Sequence, residues 1–428
     1  MYSSPGLRKT APKRVLFLAD VSLFEPSSGA EQVLYQEATG LSASGMDVFA
    51  ITRATSGDRV LEIRDGRIRE FRYSADPEKP LSFFMALLRH PPALFNRLQH
   101  NQPFDIVVCH QPYTAFSLLI HRRLIRLPMI YEFHSPSHEE YLLSVGSSIG
   151  TFHRFQAGAR RRLEGYCIRK ADRIVVLSKY TKDMAIRYHG VSPGRISIIP
   201  GGADVSRFQI PTEPRDQLKH ELGLPEGRIH LLTVRNLEQR MGIETLIEAI
   251  RRLNHNEPVY HLTIGGSGPL EDRLERLILR LGLGDQVSLI GFIPSEELPR
   301  YYAAVDYFIL PTAHLEGFGL VTPEAMACGT PVLGTPVGGT REILYGFDAD
   351  LLFSGTTADD IAMGIDRTIR RYQNDQNGYQ ALRDSCRSYV EAHYTWENHV
   401  AGLRDHIIAC CEAAPGKGAN TVPDGDIQ

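Results

Sequence analysis

Short apolar segments alternate with amphipathic helical segments along most of this chain, and no other feature of the sequence restricts the fold as much. The predicted strands are Val15–Ala19, Val48–Thr52, Asp105–Cys109, Met129–Phe133, Arg173–Leu177, Ile196–Ile199, Ile229–Val234, His261–Ile264, Val287–Ile290, Asp306–Leu310 and Pro331–Gly334. Strands separated by helices pair in parallel, and the helices bury both faces of their sheet. The alternation therefore predicts an α/β fold built from βα units.

The length of the chain predicts more than one domain. A chain of 428 residues exceeds the size of one ordinary core. Pro200, Gly201 and Gly202 interrupt the strand–helix pattern and mark the predicted crossing between domains. We predict disordered polar tails at 1–13 and 414–428, an N-terminal domain at 14–203, a C-terminal domain at 204–390 and a final helical segment at 391–413.

Composition excludes several classes of protein. The hydrophobic content of 43% and charged content of 23% are ordinary for a soluble globular enzyme. The six cysteines lack the spacing of metal ligands, which predicts reduced thiols in a cytoplasmic protein. The apolar stretch that ends at Asp20 is too short for a signal peptide, and no run is long enough to span a membrane.

Charge is distributed unevenly along the chain. Residues 1–200 contain 27 Lys and Arg against 18 Asp and Glu, whereas residues 201–428 contain 20 against 32. The basic residues concentrate in 121–126 and 154–173, which suggests contact with an anionic membrane or a lipid-phosphate acceptor; a solvated helix face is the alternative. The chain as a whole is acidic and lacks a nucleic-acid-binding motif, so we expect no nucleic acid partner.

The segment Pro311–Glu342 carries the clearest signs of a ligand site. It follows an apolar run, contains Gly317 and Gly319, and continues into a predicted short helix with Thr322 as its N-cap and Gly329 at its end. A glycine-bearing loop before a helix allows phosphate oxygens to approach backbone N–H groups.

Two glutamates lie within this segment, at positions 316 and 324. Glu324 is suited to accept hydrogen bonds from the two hydroxyls of a ribose, and Glu316 would lie on the other side of the bound phosphates. The alternative for Glu324 is a side chain that only stabilises the helix dipole. The spacing alone leaves both interpretations open.

The whole pattern E-G-F-G-L-V-x-x-E-A-M-A-x-G-x-P-V, followed by Gly338 and Gly339, resembles the signature of the family 4 retaining glycosyltransferases. The resemblance extends from the first strand near Arg14 to the helix after Trp396. It implies the GT-B fold, with two Rossmann-like domains whose parallel sheets face each other across a cleft, and a final helix that returns to the N-terminal domain. It also implies a nucleoside diphosphate sugar as co-substrate, no cofactor, no metal and retention of anomeric configuration.

The resemblance also assigns roles to the loop and to a second basic segment. The backbone amides of Phe318, Gly319 and Leu320 would bind the donor diphosphate. Many relatives read G-R-L-x-x-x-K-G where this chain has Asn236 and Met241, so we assign the cationic role to the flanking Arg235 and Arg240. The departure leaves open which of these two arginines is the main ligand.

Four further residues are candidates because of their positions. His134 follows a predicted strand and resembles the family histidine that reaches the donor sugar, so with Glu316 it is assigned to catalysis. His110 ends another strand. Gly29 precedes a helix near the donor or the acceptor, and Gly266 lies in a tight turn beside the nucleotide base. A simple turn is the alternative for Gly29.

The sequence therefore predicts a hexosyltransferase that moves a sugar to a hydroxyl of a glycan or lipid-linked acceptor, in polysaccharide, lipopolysaccharide or glycolipid synthesis. Two alternatives stay open, a sugar nucleotide epimerase of the same fold and a non-catalytic nucleotide-sugar-binding subunit. An ordinary glycosidase is disfavoured because the sequence lacks a second acid paired with a nucleophile.

Overall fold

The computed structural model describes residues 13–24, 28–54, 62–76, 79–101, 103–121, 127–146, 149–254 and 259–413. The predicted tails therefore lie outside the described residues, apart from Lys13, and so does most of the basic segment 121–126. Among the described residues, no helix combines the length and the apolar composition needed to cross a bilayer.

The chain folds into alternating strands and helices, as the sequence predicts. The strands are β1 Arg14–Leu18, β2 Asp47–Arg53, β3 Glu62–Asp65, β4 Ile68–Tyr73, β5 Ile106–Cys109, β6 Met129–Glu132, β7 Arg173–Val176, β8 Ile196–Ile198, β9 Ile229–Val234, β10 Tyr260–Gly265, β11 Val287–Gly291, β12 Tyr307–Leu310 and β13 Val332–Gly334. The helices are α1 Gly29–Ala43, α2 Pro80–Asn101, α3 Pro112–Ile120, α4 Ser137–Val145, α5 Thr151–Lys170, α6 Lys179–His189, α7 Arg215–Glu221, α8 Ile243–Leu253, α9 Glu271–Leu281, α10 Leu298–Ala304, α11 Val321–Ala327, α12 Gly338–Phe347, α13 Ala358–Tyr372, α14 Gln376–His393 and α15 Trp396–Ala413.

The strands form two sheets. The first has the order β3-β4-β2-β1-β5-β6-β7-β8 and the second the order β11-β10-β9-β12-β13. The paired strands are parallel except for β3, which pairs antiparallel with β4 at the edge of the first sheet. Two doubly wound α/β sheets of this kind confirm the predicted fold class.

Contacts divide the chain into two compact units. The first comprises the described residues within 1–132, 163–175 and 400–428, and the second those within 133–162 and 176–399. The predicted boundary at residue 203 stays a prediction.

The core of the second unit packs around its parallel sheet. Central residues such as Leu231, Leu262 and Ile309 are fully buried, and α8 and α13 cover them with apolar faces. Helix α8 buries Ile243, Leu246, Ile247 and Ile250 on one side, which is the spacing of an amphipathic helix. This core holds the loops that follow β9 and β12 in fixed positions.

Candidate functional site

The loop after β12 is built around Glu316 and is strained at the residue before it. Among the described residues, Leu315 is the non-glycine residue with a positive φ, at 57°. A left-handed backbone at a leucine costs about 1–3 kcal/mol and tends to occur at functional sites. Arg240 stabilises this turn, since its Nη1 donates to the carbonyl oxygen of Leu315 at 3.0 Å.

Glu316 is buried and is bound by two side chains. Nη2 of Arg235 lies 2.5 Å from its Oε2, and the hydroxyl of Thr312 donates to the same oxygen at 3.0 Å. Glu316 and Arg235 are each 8% exposed. The structure thus brings together a carboxylate and a cation that lie 81 positions apart in the chain.

Two glycines at the start of α12 set the position of this loop. Gly338 has a φ of +63°, and a Cβ atom there would overlap the carbonyl oxygen of Glu316. The N–H of Gly339 donates to that oxygen at 2.9 Å, and a Cβ atom on Gly339 would lie 2.6 Å from the Cα of Phe318. Any side chain at these positions would push the loop away.

The two arginine candidates differ in their surroundings. Arg240 is partly exposed. Its guanidinium donates to the carbonyl oxygen of Leu315 and, from Nε at 3.1 Å, to a carboxylate oxygen of Glu238. Arg235 is buried beside Glu316, and its Nε has no hydrogen-bond partner among the described residues. Met241, which replaces the lysine of many relatives, is buried and contacts Arg235 through its sulfur at 2.7 Å. The two arginines thus differ in burial, and Arg235 is the one whose side chain contacts Glu316.

Helix α11 begins earlier than the sequence predicts. Leu320, rather than Thr322, is its N-cap, so the assignment of Thr322 was wrong. Gly319 turns the chain with a φ of +84°, and the N–H of Thr322 is already bonded to the oxygen of Gly319 at 2.9 Å. Gly329, with a φ of +72°, ends the helix as predicted. Among the described residues, the N–H groups of Phe318, Gly319 and Leu320 have no acceptor within the protein.

Glu324 lies in the first turn of α11 and is partly buried. The hydroxyl of the fully buried Tyr302 donates to its Oε2 at 3.3 Å. Burial raises the pKa of Glu324 to about 7, although Arg207 and the hydrogen bond from Tyr302 act in the opposite direction. This carboxyl therefore changes charge near neutral pH.

The backbone of His134 lies directly against the loop. A Cβ atom on Gly317 would be 2.7 Å from the carbonyl oxygen of His134, and the hydroxyl of Ser178 donates to the carbonyl oxygen of Gly317 at 2.6 Å. The structure thus places His134 beside the segment that carries Glu316. Gly266 is also near this group, because its φ of +124° lets it pack against the carbonyl oxygen of Arg235.

The remaining candidates belong to the first unit. Gly29 is the first residue of α1, after Ser28, whose N–H donates to Glu31 at 2.9 Å. His110 is only 2% exposed, and its Nε2 lies 3.0 Å from a carboxylate oxygen of the buried Glu37. The side chain of His110 is thus part of the core of this unit.

Sequence reasoning missed three residues that contact the predicted ones. Thr312 binds Glu316, Tyr302 binds Glu324, and Arg207 interacts electrostatically with Glu324. Thr312 lies four residues before Glu316, next to Pro311 at the end of β12, and that position was a usable signal. Tyr302 and Arg207 gave no signal, because their roles depend on tertiary packing.

Among the described residues, no group of three or more His, Cys, Asp or Glu side chains is arranged to hold a metal ion. The polar groups at the loop are a buried guanidinium, two carboxyls and backbone N–H groups. Such a set can bind an anion at the N–H groups and the guanidinium, and hydroxyl groups at the carboxyls.

Comparison with protein families matches both halves of the chain. The model described as Glycosyltransferase Family 4 matches residues 27–207, and the model described as Glycosyl transferases group 1 matches residues 214–385. The chain is 28% identical to a D-inositol 3-phosphate glycosyltransferase of Arthrobacter over 335 residues, which cover 76% of this chain and 78% of the relative.

Solved structures share the fold. Sucrose-phosphate synthase from Thermosynechococcus elongatus superimposes with a TM-score of 0.77 and 24% identity, over 93% of this chain and 100% of that chain. HepE from Anabaena in complex with UDP-glucose superimposes with a TM-score of 0.70 and 18% identity, over 92% of this chain and 99% of that chain.

Proposed function

Because this chain belongs to the family 4 glycosyltransferases, which share the GT-B fold, we propose that it is a retaining, metal-independent hexosyltransferase that uses a nucleoside diphosphate sugar. The acceptor is a hydroxyl of a glycan or lipid-linked molecule, in polysaccharide, lipopolysaccharide or glycolipid synthesis. One observation carries the proposal. Glu316, on a strained, glycine-bearing loop directly before Glu324 and its helix, forms a buried pair with Arg235, which follows β9.

In the proposed complex, the donor lies across this loop. Arg235 and the amides of Phe318, Gly319 and Leu320 bind the diphosphate, since Nε of Arg235 and these N–H groups have no acceptor among the described residues. Glu324 accepts hydrogen bonds from the ribose hydroxyls. Charge develops on the diphosphate as it leaves, so donors held in place before the reaction stabilise the transition state.

Glu316 and His134 position the sugar. The bond between the anomeric carbon and the phosphate oxygen breaks, and the acceptor hydroxyl forms a new bond to that carbon from the same face. The proton of the hydroxyl passes to an oxygen of the departing diphosphate. Arg235 fixes the Glu316 carboxylate at 2.5 Å, so that its second oxygen remains for a sugar hydroxyl.

The proposal is tested with UDP-, GDP- and ADP-sugars. HepE was solved with UDP and with UDP-glucose, so UDP-sugars are the first choice. One of these donors should raise the melting temperature of the protein and release free nucleotide slowly in water. An epimerised sugar nucleotide would instead indicate an epimerase. A melting shift without any release or transfer would indicate a binding subunit.

We also propose that the protein acts at the cytoplasmic face of a membrane with anionic lipids. On α5, Phe152 and Phe155 are 65% and 70% exposed, Arg154 between them in sequence is exposed, and the exposed Arg162 lies about two turns further along the helix. The acidic residue of this helix, Glu164, is buried. Exposed aromatic rings among cations fit an interface with anionic lipids.

Co-sedimentation with vesicles tests this membrane contact. Binding to phosphatidylglycerol vesicles should weaken at least about tenfold in Phe155→Ser, because one buried aromatic side chain contributes about 1.5–3 kcal/mol. The control is Phe292→Ser, a change at another ring that is 72% exposed. Equal binding to uncharged phosphatidylcholine vesicles, or equal loss in both variants, would contradict the proposal.

A further inference from the structure

A cavity of about 880 Å³ opens beside the Glu316 loop. Its walls come from α4, from the start of α6, from the segments before Glu316 and before α12, and from α12 itself. The volume lies toward the upper end of the range of ligand cavities, about 300–1,000 Å³. Nothing in the proposed donor complex occupies this space.

The cavity is distinct from the proposed donor site but shares its loop. Arg235, Glu324 and the amides of residues 318–320 are not part of its wall. Leu315 and Gly338 are part of it, and both hold the backbone of Glu316, the first as its neighbour in sequence and the second by close packing. A molecule in the cavity would therefore reach the catalytic loop from a side that the donor residues do not line.

The side chains of the wall combine aromatic, aliphatic and charged groups. Tyr345 is 69% exposed although it is a large aromatic residue, and Tyr180 is partly buried. Leu142, Leu143 and Val337 supply aliphatic surface. A sugar presents apolar C–H faces that pack on such rings, and hydroxyls at its edges that need both donors and acceptors.

The charges of the wall are mixed rather than basic. Lys179 and Arg341 are opposed by Glu139, Asp183 and Glu342. The N-terminus of α6 is already occupied, because the carboxylate of Glu342 accepts from the N–H groups of Lys179 and Tyr180 at 2.8 and 2.7 Å. A phosphate would meet three carboxylates and a helix end that is already bound, which disfavours an anionic ligand.

We propose that this cavity binds the sugar units of an uncharged glycan acceptor that is longer than a monosaccharide. The inference rests on the proposed function, because it names the acceptor class of that same reaction. The terminal sugar extends from the cavity past the Glu316 loop, so that its reacting hydroxyl meets the donor diphosphate, and the preceding sugars contact Tyr180 and Tyr345.

Saturation-transfer NMR with the full-length protein tests the inference. The probes are neutral trisaccharides of glucose, mannose and galactose, their methyl monoglycosides, and inositol phosphate as the anionic probe. We expect at least one trisaccharide to bind more strongly than its monoglycoside. The signal should disappear in Leu142→Trp, which fills the cavity, and persist in Leu279→Trp, a matched change at a leucine that is 76% exposed on α9.

Three outcomes would overturn the inference: binding of inositol phosphate alone, binding of none of the trisaccharides, or equal binding in Leu142→Trp and wild type. A melting-temperature shift with the sugar nucleotide, measured on each variant, shows that the protein is folded. If wild type binds no sugar nucleotide, the proposed function fails; if it binds one but no trisaccharide, only the present inference fails.

Discussion

The two compact units place polar residues at strand ends in different ways. In the first unit, Asp20 follows β1, but its carboxylate is buried and accepts from the N–H groups of Tyr113 and Thr114 at 2.9 and 2.7 Å. His110 follows β5 and is buried against Glu37. Asp20 thus caps the start of α3, and His110 packs in the core of the unit, so both side chains stabilise the fold.

In the second unit, polar residues after the strands retain free bonding capacity. The loop that carries Glu316 contains the strained Leu315 and a left-handed Gly319, and Gly338 at the start of α12 packs against it. Glu316 and Arg235 are as buried as Asp20, but Nε of Arg235 has no hydrogen-bond partner among the described residues. We therefore expect a polar residue at a strand end to mark a ligand site only where part of its hydrogen-bonding capacity is unused.

Arg235→Ala should cause the largest loss of activity, because the variant removes the cation of the proposed diphosphate site and leaves Glu316 without its ion pair. We expect kcat/KM for the donor to fall by about 10²–10³-fold, the loss typical of one preorganised electrostatic group. The measurement is nucleotide release from the sugar nucleotide.

The control for this variant is Arg276→Ala, which removes an exposed arginine on α9. Arg235→Lys keeps the charge but loses the planar geometry, and it should also be strongly impaired. Full activity in Arg235→Lys with a normal melting temperature would show that the planar guanidinium is not needed.

Glu37→Ala in the first unit should affect stability instead. The substitution leaves His110 without the carboxylate of Glu37, and we expect the free energy of unfolding to fall by about 2 kcal/mol, within the range typical of a hydrogen bond to a charged group. Denaturant titration gives this value, and donor affinity should stay as in wild type. A loss of donor affinity in the folded variant would contradict the expectation that this buried pair contributes to stability and not to donor binding.

Glu324 should make donor affinity depend on pH. Its pKa of about 7 means that the carboxylate of the proposed ribose contact is a minor form at pH 6 and the main form at pH 8. Affinity for the sugar nucleotide that wild type binds should therefore rise about tenfold over this range, and Glu324→Gln should abolish the rise. Calorimetric titration at several pH values measures it.

The same shift has the opposite effect on the stability of the free protein. Because folding raises the pKa of Glu324, the contribution of this group to the free energy of unfolding is fully present below the ordinary pKa of a glutamate and is lost as pH rises through about 7.

Donor affinity that is flat between pH 6 and 8 in wild type would contradict the proposed role of Glu324.

The regular elements could be predicted because burial controls them. The observed bounds of each predicted strand agree with the prediction within one or two residues. Apolar runs such as Ile229–Val234 are buried as strands in the interior of a sheet, so their sequence alone indicates where they lie. Strands β3 and β4 were missed because charged residues interrupt their apolar pattern, as in Glu62–Asp65 and Ile68–Tyr73. Such strands lack the apolar signal on which the prediction relied.

The local loop chemistry could be predicted, but the pairing of its residues could not. The motif indicated that Glu316, Glu324 and the glycines belong to one loop. The contact between Arg235 and Glu316 depends on the order β9-β12 in the sheet, which places two distant loops side by side. For the same reason, burial of His110 against Glu37 had no sequence signal.

Turnover of the donor by Glu316→Gln tests the central claim most directly. The variant keeps the shape of the side chain but removes the charge that pairs with Arg235 and, in the proposed complex, positions the sugar. With the sugar nucleotide that wild type uses, we predict that release of nucleotide falls at least about 100-fold, while the melting shift caused by that donor is nearly retained. Unchanged turnover in a folded Glu316→Gln protein would contradict the account.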